Sequence, residues 1–363
     1  MDIAKIDRNF KIETDIGESD VVFYDVRRAP FAVYGLYDYQ NQPDFKRLPD
    51  DVARATSDGV NYLYRNTAGG RVRFATDSRY VAIKAEMPSI ARMNHMPMSG
   101  SSAFDLYVDD PDTETTEFSA SFRPDVNMTD GYESKRDFGS RRMRFVTINF
   151  PSYSHVKNLY IGLQEDAKVE AGMAYKPFLP VVYYGSSITQ GGCSSRPGNA
   201  YTNVISQRNN LDFINLGFSG NGKGEDTIVN YMATLSMSAF VSDYDHNAPN
   251  PEHLRATHFK LYSAIRKMHP DIPYVMVSRP NFNPHVKSDC ERRSVILDSY
   301  HEAKRAGDQN VYFVDGASIF KGPYANLCTV DGTHPNDMGF ALMADAIGEE
   351  LMIGLRRANA NKA

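Results

Sequence analysis

The chain has 363 residues, 42% of them hydrophobic and 23% charged, with a formal net charge of −5 at pH 7. That length favours two domains over one core, and the mild acidity without a basic stripe speaks against nucleic-acid binding. No apolar run approaches the ~18 residues of a membrane span, and three widely spaced cysteines, Cys193, Cys290 and Cys328, suit reduced thiols rather than a disulfide framework.

The first twenty residues mix both charges and hold no apolar segment of the kind that forms a signal peptide core, so a cytoplasmic protein is expected. From about residue 20 to 175 the sequence reads as short strands between turn signals: "NTAGGRVRF", "YVAIKAEM", "SAFDLYVDD", "RFVTINF" and "KNLYIGL" are rich in β-branched and aromatic residues, several alternating with period two. An all-β, jelly-roll-like sandwich over residues 1–178 is the expectation. "PDDVARATSDGVNYLYRNTAGG" interrupts it with apolar residues at Val52, Ala55, Val60 and Leu63, which predicts a short helix or irregular turn.

After Pro180 the period changes. "VVYYG", "LDFINLGF", "SAFVSDY", "IPYVMVSRP" and "NVYFVDG" are apolar strands, each followed by a loop and a helical stretch. Five such alternations predict a three-layer α/β/α unit with a parallel sheet over residues 179–363, its chemistry at the carboxyl ends of the strands.

Those ends carry specific residue types. The first strand runs into "GSSITQGG", where a Ser between strand and helix can expose its hydroxyl; Ser187 is the candidate nucleophile and Ser186 its immediate competitor. A hydroxyl needs a base oriented by a carboxylate, and the last loop, "DGTHPND", supplies Asp331 and His334. Oxyanion donors are available from Gly220 in "GFSGNG" and from Asn247 in "DYDHN", with Asn250 three residues on as an understudy. Each piece also has an ordinary reading as a turn or a helix cap. "GFSGNGKG" could be taken for a phosphate-binding loop, but Gly224 stands where that loop needs Ser or Thr. Asp243, Asp245 and His246 could suggest metal ligands, but alternating side chains on an extended chain point apart. No metal or cofactor is expected.

Taken in order, the Ser, Gly, Asn and Asp-x-x-His blocks resemble those of the SGNH hydrolases, the GDSL esterase and lipase group. "SAFDLY" is similar to the Gly-x-Asp-Leu-Tyr motif of the β-domain in one branch of that family, with Ala103 in place of the Gly. The resemblance implies a flavodoxin-like hydrolase domain and an oxyanion hole made by Ser187, Gly220 and Asn247. It departs in having Ser186 where the name-giving motif has Asp, and "DYDHN" where Gly-x-Asn-Asp is common. The branch resembles carbohydrate acetylesterases, which implies a small ester substrate such as an acetylated sugar. A short-chain lipase or thioesterase and a non-catalytic sugar-binding protein stay open, as does a homo-oligomer. Cys193, six residues after Ser187 and with no His beside it in sequence, reads as a packing thiol.

Overall fold

The computed structural model describes residues 16–360, so most of the charged N-terminal segment weighed above lies outside the described residues. Ten strands come first: β1 (Val21–Asp25), β2 (Ala32–Tyr34), β3 (Arg71–Thr76), β4 (Tyr80–Glu86), β5 (Phe104–Asp110), β6 (Thr115–Phe122), β7 (Gly131–Asp137), β8 (Arg144–Asn149), β9 (Asn158–Gln164) and β10 (Val169–Ala171). They form two antiparallel sheets. One has the order β1-β9-β4-β7; the other is β10-β3-β8-β5-β6, with β2 paired to β3. Between the sheets lies one apolar cluster, including Phe74, Ile83, Phe104, Ile148 and Ile161. β6 and β7 have no counterpart in the sequence reading: both are edge strands rich in polar residues, and in "TTEFSASF" the apolar alternation is confined to Phe118, Ala120 and Phe122.

Two short helices, α1 (Asp50–Thr56) and α2 (Asp58–Leu63), occupy the stretch that broke the strand pattern. Ser57 ends the first and caps the second, accepting a hydrogen bond from the Val60 amide at 3.2 Å. Their apolar side chains, with Leu48 and Tyr64, join the core of the second half rather than that of the sandwich. A third short helix, α3 (Met98–Ser101), precedes β5.

The second half contains β11 (Val181–Gly185), α4 (Ser187–Gln190), α5 (Tyr201–Asn209), β12 (Phe213–Gly217), α6 (Asp226–Thr234), β13 (Ala239–Asp243), α7 (Pro251–Met268), β14 (Tyr274–Val277), α8 (Lys287–Arg305), β15 (Val311–Val314) and α9 (Asp337–Ala360). The five strands are parallel in the order β12-β11-β13-β14-β15, the flavodoxin-like 2-1-3-4-5 winding. Both faces are covered, which is why the strands read as continuous apolar runs. Val182 and Tyr184 pack with α6, α7 and α8, while Val181 and Tyr183 pack with α5 and α9. Among the described residues, no helix is long and apolar enough to cross a membrane.

Buried polar contacts join the halves. Arg47 donates to the carbonyls of Gly217 (2.6 Å), Asn215 (3.2 Å) and Leu63 (2.9 Å), and burial lowers its pKa to about 9. Asp105, the acid of "SAFDLY", accepts from the Gly198 amide at 2.8 Å and from Asn149 at 2.9 Å. Burial raises its pKa to about 6 despite those bonds and the nearby Arg196. Arg71 and Tyr107 also lie in this seam: Arg71 pairs with Asp212, and the Tyr107 hydroxyl accepts from Arg196 at 3.2 Å.

Candidate active site

Parallel register sets the chemistry at one level. Gly185 at the end of β11 lies beside Gly217 of β12 on one side and Asp243 of β13 on the other. The winding reverses between β11 and β13, the place where doubly wound sheets open a crevice. Both flanking strand ends approach so closely that a Cβ on Gly185 would lie 2.3 Å from the Asp243 carbonyl oxygen, and one on Gly217 would lie 2.3 Å from the Gln190 amide nitrogen. Only glycine lets three strand ends and α4 converge here.

The two serines of the first loop separate by role. Ser186 is the N-cap of α4, its Oγ accepting from the Ile188 amide at 3.1 Å. Ser187 is the first helical residue, and its Oγ lies 2.9 Å from His334 Nε2. His334 Nδ1 is 2.7 Å from Asp331 Oδ2, while Asp331 Oδ1 accepts from the amides of His334 (2.7 Å) and Thr333 (3.0 Å). Partial burial opposes ionisation of Asp331, but those amides and the imidazole outweigh it and hold its pKa down to about 2. The carboxylate therefore fixes the imidazole with Nδ1 as donor, leaving Nε2 to accept a proton from Ser187.

The loop carrying this pair is held mostly by short-range bonds, with one side chain reaching it from another loop. Val330 donates to the His334 carbonyl at 2.9 Å, Gly332 takes a positive φ of 83°, and Asn281 from the loop after β14 donates to the Gly332 carbonyl.

Gly220 and Asn247 also come to this end of the sheet. Gly220 has a φ of 68° and open space on its Cβ side, in a turn where the Asn221 and Gly222 amides both donate to the Phe218 carbonyl. Asn247 Nδ2 donates to the same carbonyl at 2.7 Å, tying β13 to the glycine loop. An amide nitrogen has two hydrogens, so Asn247 retains a second donor. Asn250 is spoken for: it caps α7, accepting from the His253 amide at 2.8 Å.

The three groups weighed as metal ligands face different partners. Asp243 Oδ2 accepts from Tyr201 and Thr189 hydroxyls, each at 3.1 Å; Asp245 accepts from the Arg279 amide and from Arg292; His246 Nδ1 faces Arg279. Burial, partly offset by its two hydroxyl donors, raises the pKa of Asp243 to about 7.

Three contributors were not visible in sequence. Tyr153, between β8 and β9, donates its hydroxyl to the Ser187 carbonyl at 3.2 Å. Gln190 donates to the Ser152 carbonyl (3.1 Å) and accepts from the Ser219 amide (3.0 Å), joining sandwich, α4 and glycine loop. Gly192 fills the gap between them: a Cβ there would lie 2.9 Å from the Tyr153 hydroxyl and 3.0 Å from the Ser187 carbonyl. Cys193 is buried, but the expectation that no histidine neighbours it holds only along the chain. In space His95 and His334 lie beside it. Burial, helped by the Asp331 charge, pushes its thiol up to about 12, which keeps it protonated and poorly nucleophilic.

Comparison with known proteins agrees with this architecture. Residues 179–352 match the GDSL-like lipase/acylhydrolase family, and residues 21–169 match the GxDLY N-terminus of SGNH-hydrolase-type esterases. A protein described as a GDSL-like lipase from Bacteroides ovatus superposes with a TM-score of 0.81 at 26% identity, covering 92% of this chain and 98% of its own. A salicylyl-acyltransferase from a tetracycline biosynthetic pathway gives 0.76 at 18% identity, with coverage of 93% and 98%. A family two carbohydrate esterase from Clostridium thermocellum, solved with cellohexaose, gives 0.61 at 14% identity, with coverage of 90% and 99%. No protein of curated function matches the sequence. With one family match on each half, the chain belongs to the GDSL-like (SGNH) hydrolases and is a carboxylic ester hydrolase.

Proposed function

We propose that this protein is a serine esterase that removes short acyl groups, acetyl foremost, from carbohydrates through an acyl-enzyme. The observation that carries the reading is the unbroken chain from Ser187 Oγ through the His334 ring to Asp331. In the forward step His334 Nε2 takes the Ser187 proton as Oγ attacks the ester carbonyl, and Asp331 stabilises the imidazolium. The amides of Ser187 and Gly220 and the second N–H of Asn247 receive the oxyanion. Collapse of the tetrahedral intermediate expels the sugar hydroxyl, protonated by His334. Water, deprotonated by the same imidazole, then releases acetate from Ser187.

The carbohydrate part rests on likeness to the family two carbohydrate esterases and on the loop before Asp331, where Tyr324, Leu327 and Val330 are exposed. An aromatic ring and apolar side chains exposed on the segment that leads into Asp331 suit a sugar face better than a charged alcohol. Residues 179–363 would form the catalytic domain and residues 1–178 a supporting β-domain, in a cytoplasmic protein acting on small esters.

Hydrolysis of p-nitrophenyl acetate, butyrate and octanoate, compared with an acetylated xylose or glucose, tests this. Turnover should fall with chain length, and Ser187→Ala and His334→Ala should each lose at least about a thousandfold in kcat. Sugar binding that survives Ser187→Ala, with no turnover in the unaltered protein, would favour a carbohydrate-binding role instead.

A further inference from the structure

Cys193 has a setting that ester hydrolysis does not use. Its Sγ and one ring nitrogen from each of His95 and His334 lie within 4.8 Å of one another. The three residues are distant in sequence: His95 comes from the loop between β4 and α3, Cys193 from the turn after α4, and His334 from the last loop.

The two imidazoles are prepared alike. His334 Nδ1 faces Asp331 Oδ2 at 2.7 Å, and His95 Nδ1 faces Asn94 Oδ1 at 2.9 Å. In each ring an acceptor holds the Nδ1 proton, which leaves the Nε2 lone pair outward. Histidines that ligate metals are oriented in this way, with the second N–H given to a carboxylate or carbonyl.

We propose that His95, Cys193 and His334 bind one soft divalent cation, with Zn2+ the best fit, and that its occupancy stops ester hydrolysis. Two imidazoles and a thiolate suit zinc, with a fourth position left for water. Bond lengths of 2.0–2.3 Å place ligand atoms about 3.5 Å apart. The three groups must therefore draw in by roughly an ångström, and the His95 loop is the element placed to supply that movement. A cleft bordered by Pro97, Cys193, Ser195 and Leu327 gives the ion a way in.

The exchange balances. Cys193 releases its S–H proton to solvent as Sγ bonds the cation. His334 Nε2 gives up its hydrogen bond to Ser187, whose hydroxyl keeps its proton. A metal-bound Nε2 has no lone pair to accept that proton, so the nucleophile stays unactivated. Binding itself does not depend on the esterase reading; only its inhibitory effect does.

The test uses the full chain, stripped with a chelator and titrated with Co2+, a spectroscopic stand-in for Zn2+. One equivalent should produce thiolate-to-cobalt absorption in the near ultraviolet, and Zn2+ should displace it. Cys193→Ser should lose the band, and His95→Ala should bind Zn2+ at least tenfold more weakly. In the absence of metal each variant's own rate of p-nitrophenyl acetate hydrolysis serves as its reference, and Zn2+ should inhibit both at least tenfold less potently than the original protein. No thiolate band, or one that survives Cys193→Ser, overturns the site. Stoichiometric Zn2+ binding at Cys193 with undiminished hydrolysis overturns the inhibitory role. A protein with the cobalt band but no hydrolysis at all would count against the esterase reading while upholding the metal site.

Discussion

The two sides of the candidate active site are built in opposite ways. Ser187 sits in a helix whose four residues are all buried, locked by Tyr153 and Gln190 to the β-sandwich and by strand register to its neighbours. Asp331 and His334 stand on an outer loop, Asp331 with a 38% exposed side chain, and are held by bonds almost wholly within residues 328–336. One side takes its precision from long-range packing and the other from local hydrogen bonding. The two sides should therefore fail differently: damage to the loop should cost activity alone, whereas damage beneath Ser187 should also cost stability.

Asp331→Asn should have the largest effect on the loop side. The side-chain amide cannot stabilise an imidazolium and favours the wrong tautomer, so kcat should fall by about three to four orders of magnitude. Because the loop is exposed, the melting temperature should hardly move. Thermal melts alongside kcat would check this, and a large loss of stability would mean that the loop is not locally held.

Asp243, buried under α4 at the end of β13, probes the other side. Its folded pKa of about 7 exceeds the ordinary value of 3.8. Between those values the unfolded chain has released the proton and the native protein has kept it, so stability from this group is complete below 3.8 and is lost as pH rises through 7. Asp243→Asn mimics the protonated acid and removes that dependence. The variant should match the original protein near pH 4 and exceed it above pH 7 by about 2 to 4 kcal/mol. Denaturant unfolding across pH 4 to 8 reads the difference, and parallel curves for the two proteins would sink the assignment.

The same contrast explains what the sequence made legible. Asp-x-x-His could be read because both residues lie on one turn, and the five strands could be read because sheets buried on both faces are continuously apolar. Ser187 could be told from Ser186 only once His334 was placed, since either serine can cap a helix. Tyr153, Gln190 and Gly192 left no local trace: their roles come from contacts with residues 34, 38 and 39 positions away. The same holds for α1 and α2, whose helical pattern was visible while their docking onto the hydrolase core was not. The Gly-x-Asp-Leu-Tyr likeness pointed to a domain type, but only the fold shows Asp105 receiving the Gly198 amide across the seam.

Tyr153→Phe gives the smallest effect and the finest discrimination. Tyr153 donates at 3.2 Å to a carbonyl that the Gly192 amide already reaches at 2.8 Å and the Gly191 amide also approaches, so losing the hydroxyl leaves the Ser187 carbonyl with its backbone partners. The expected cost is about 1 kcal/mol of stability, the ordinary net contribution of one such bond. With α4 slightly looser, kcat should drop a few fold at unchanged KM. A hundredfold loss of kcat with an unchanged melting temperature would instead put the hydroxyl in contact with the reacting groups. The seam between sandwich and hydrolase would then be part of the chemistry and not only its support.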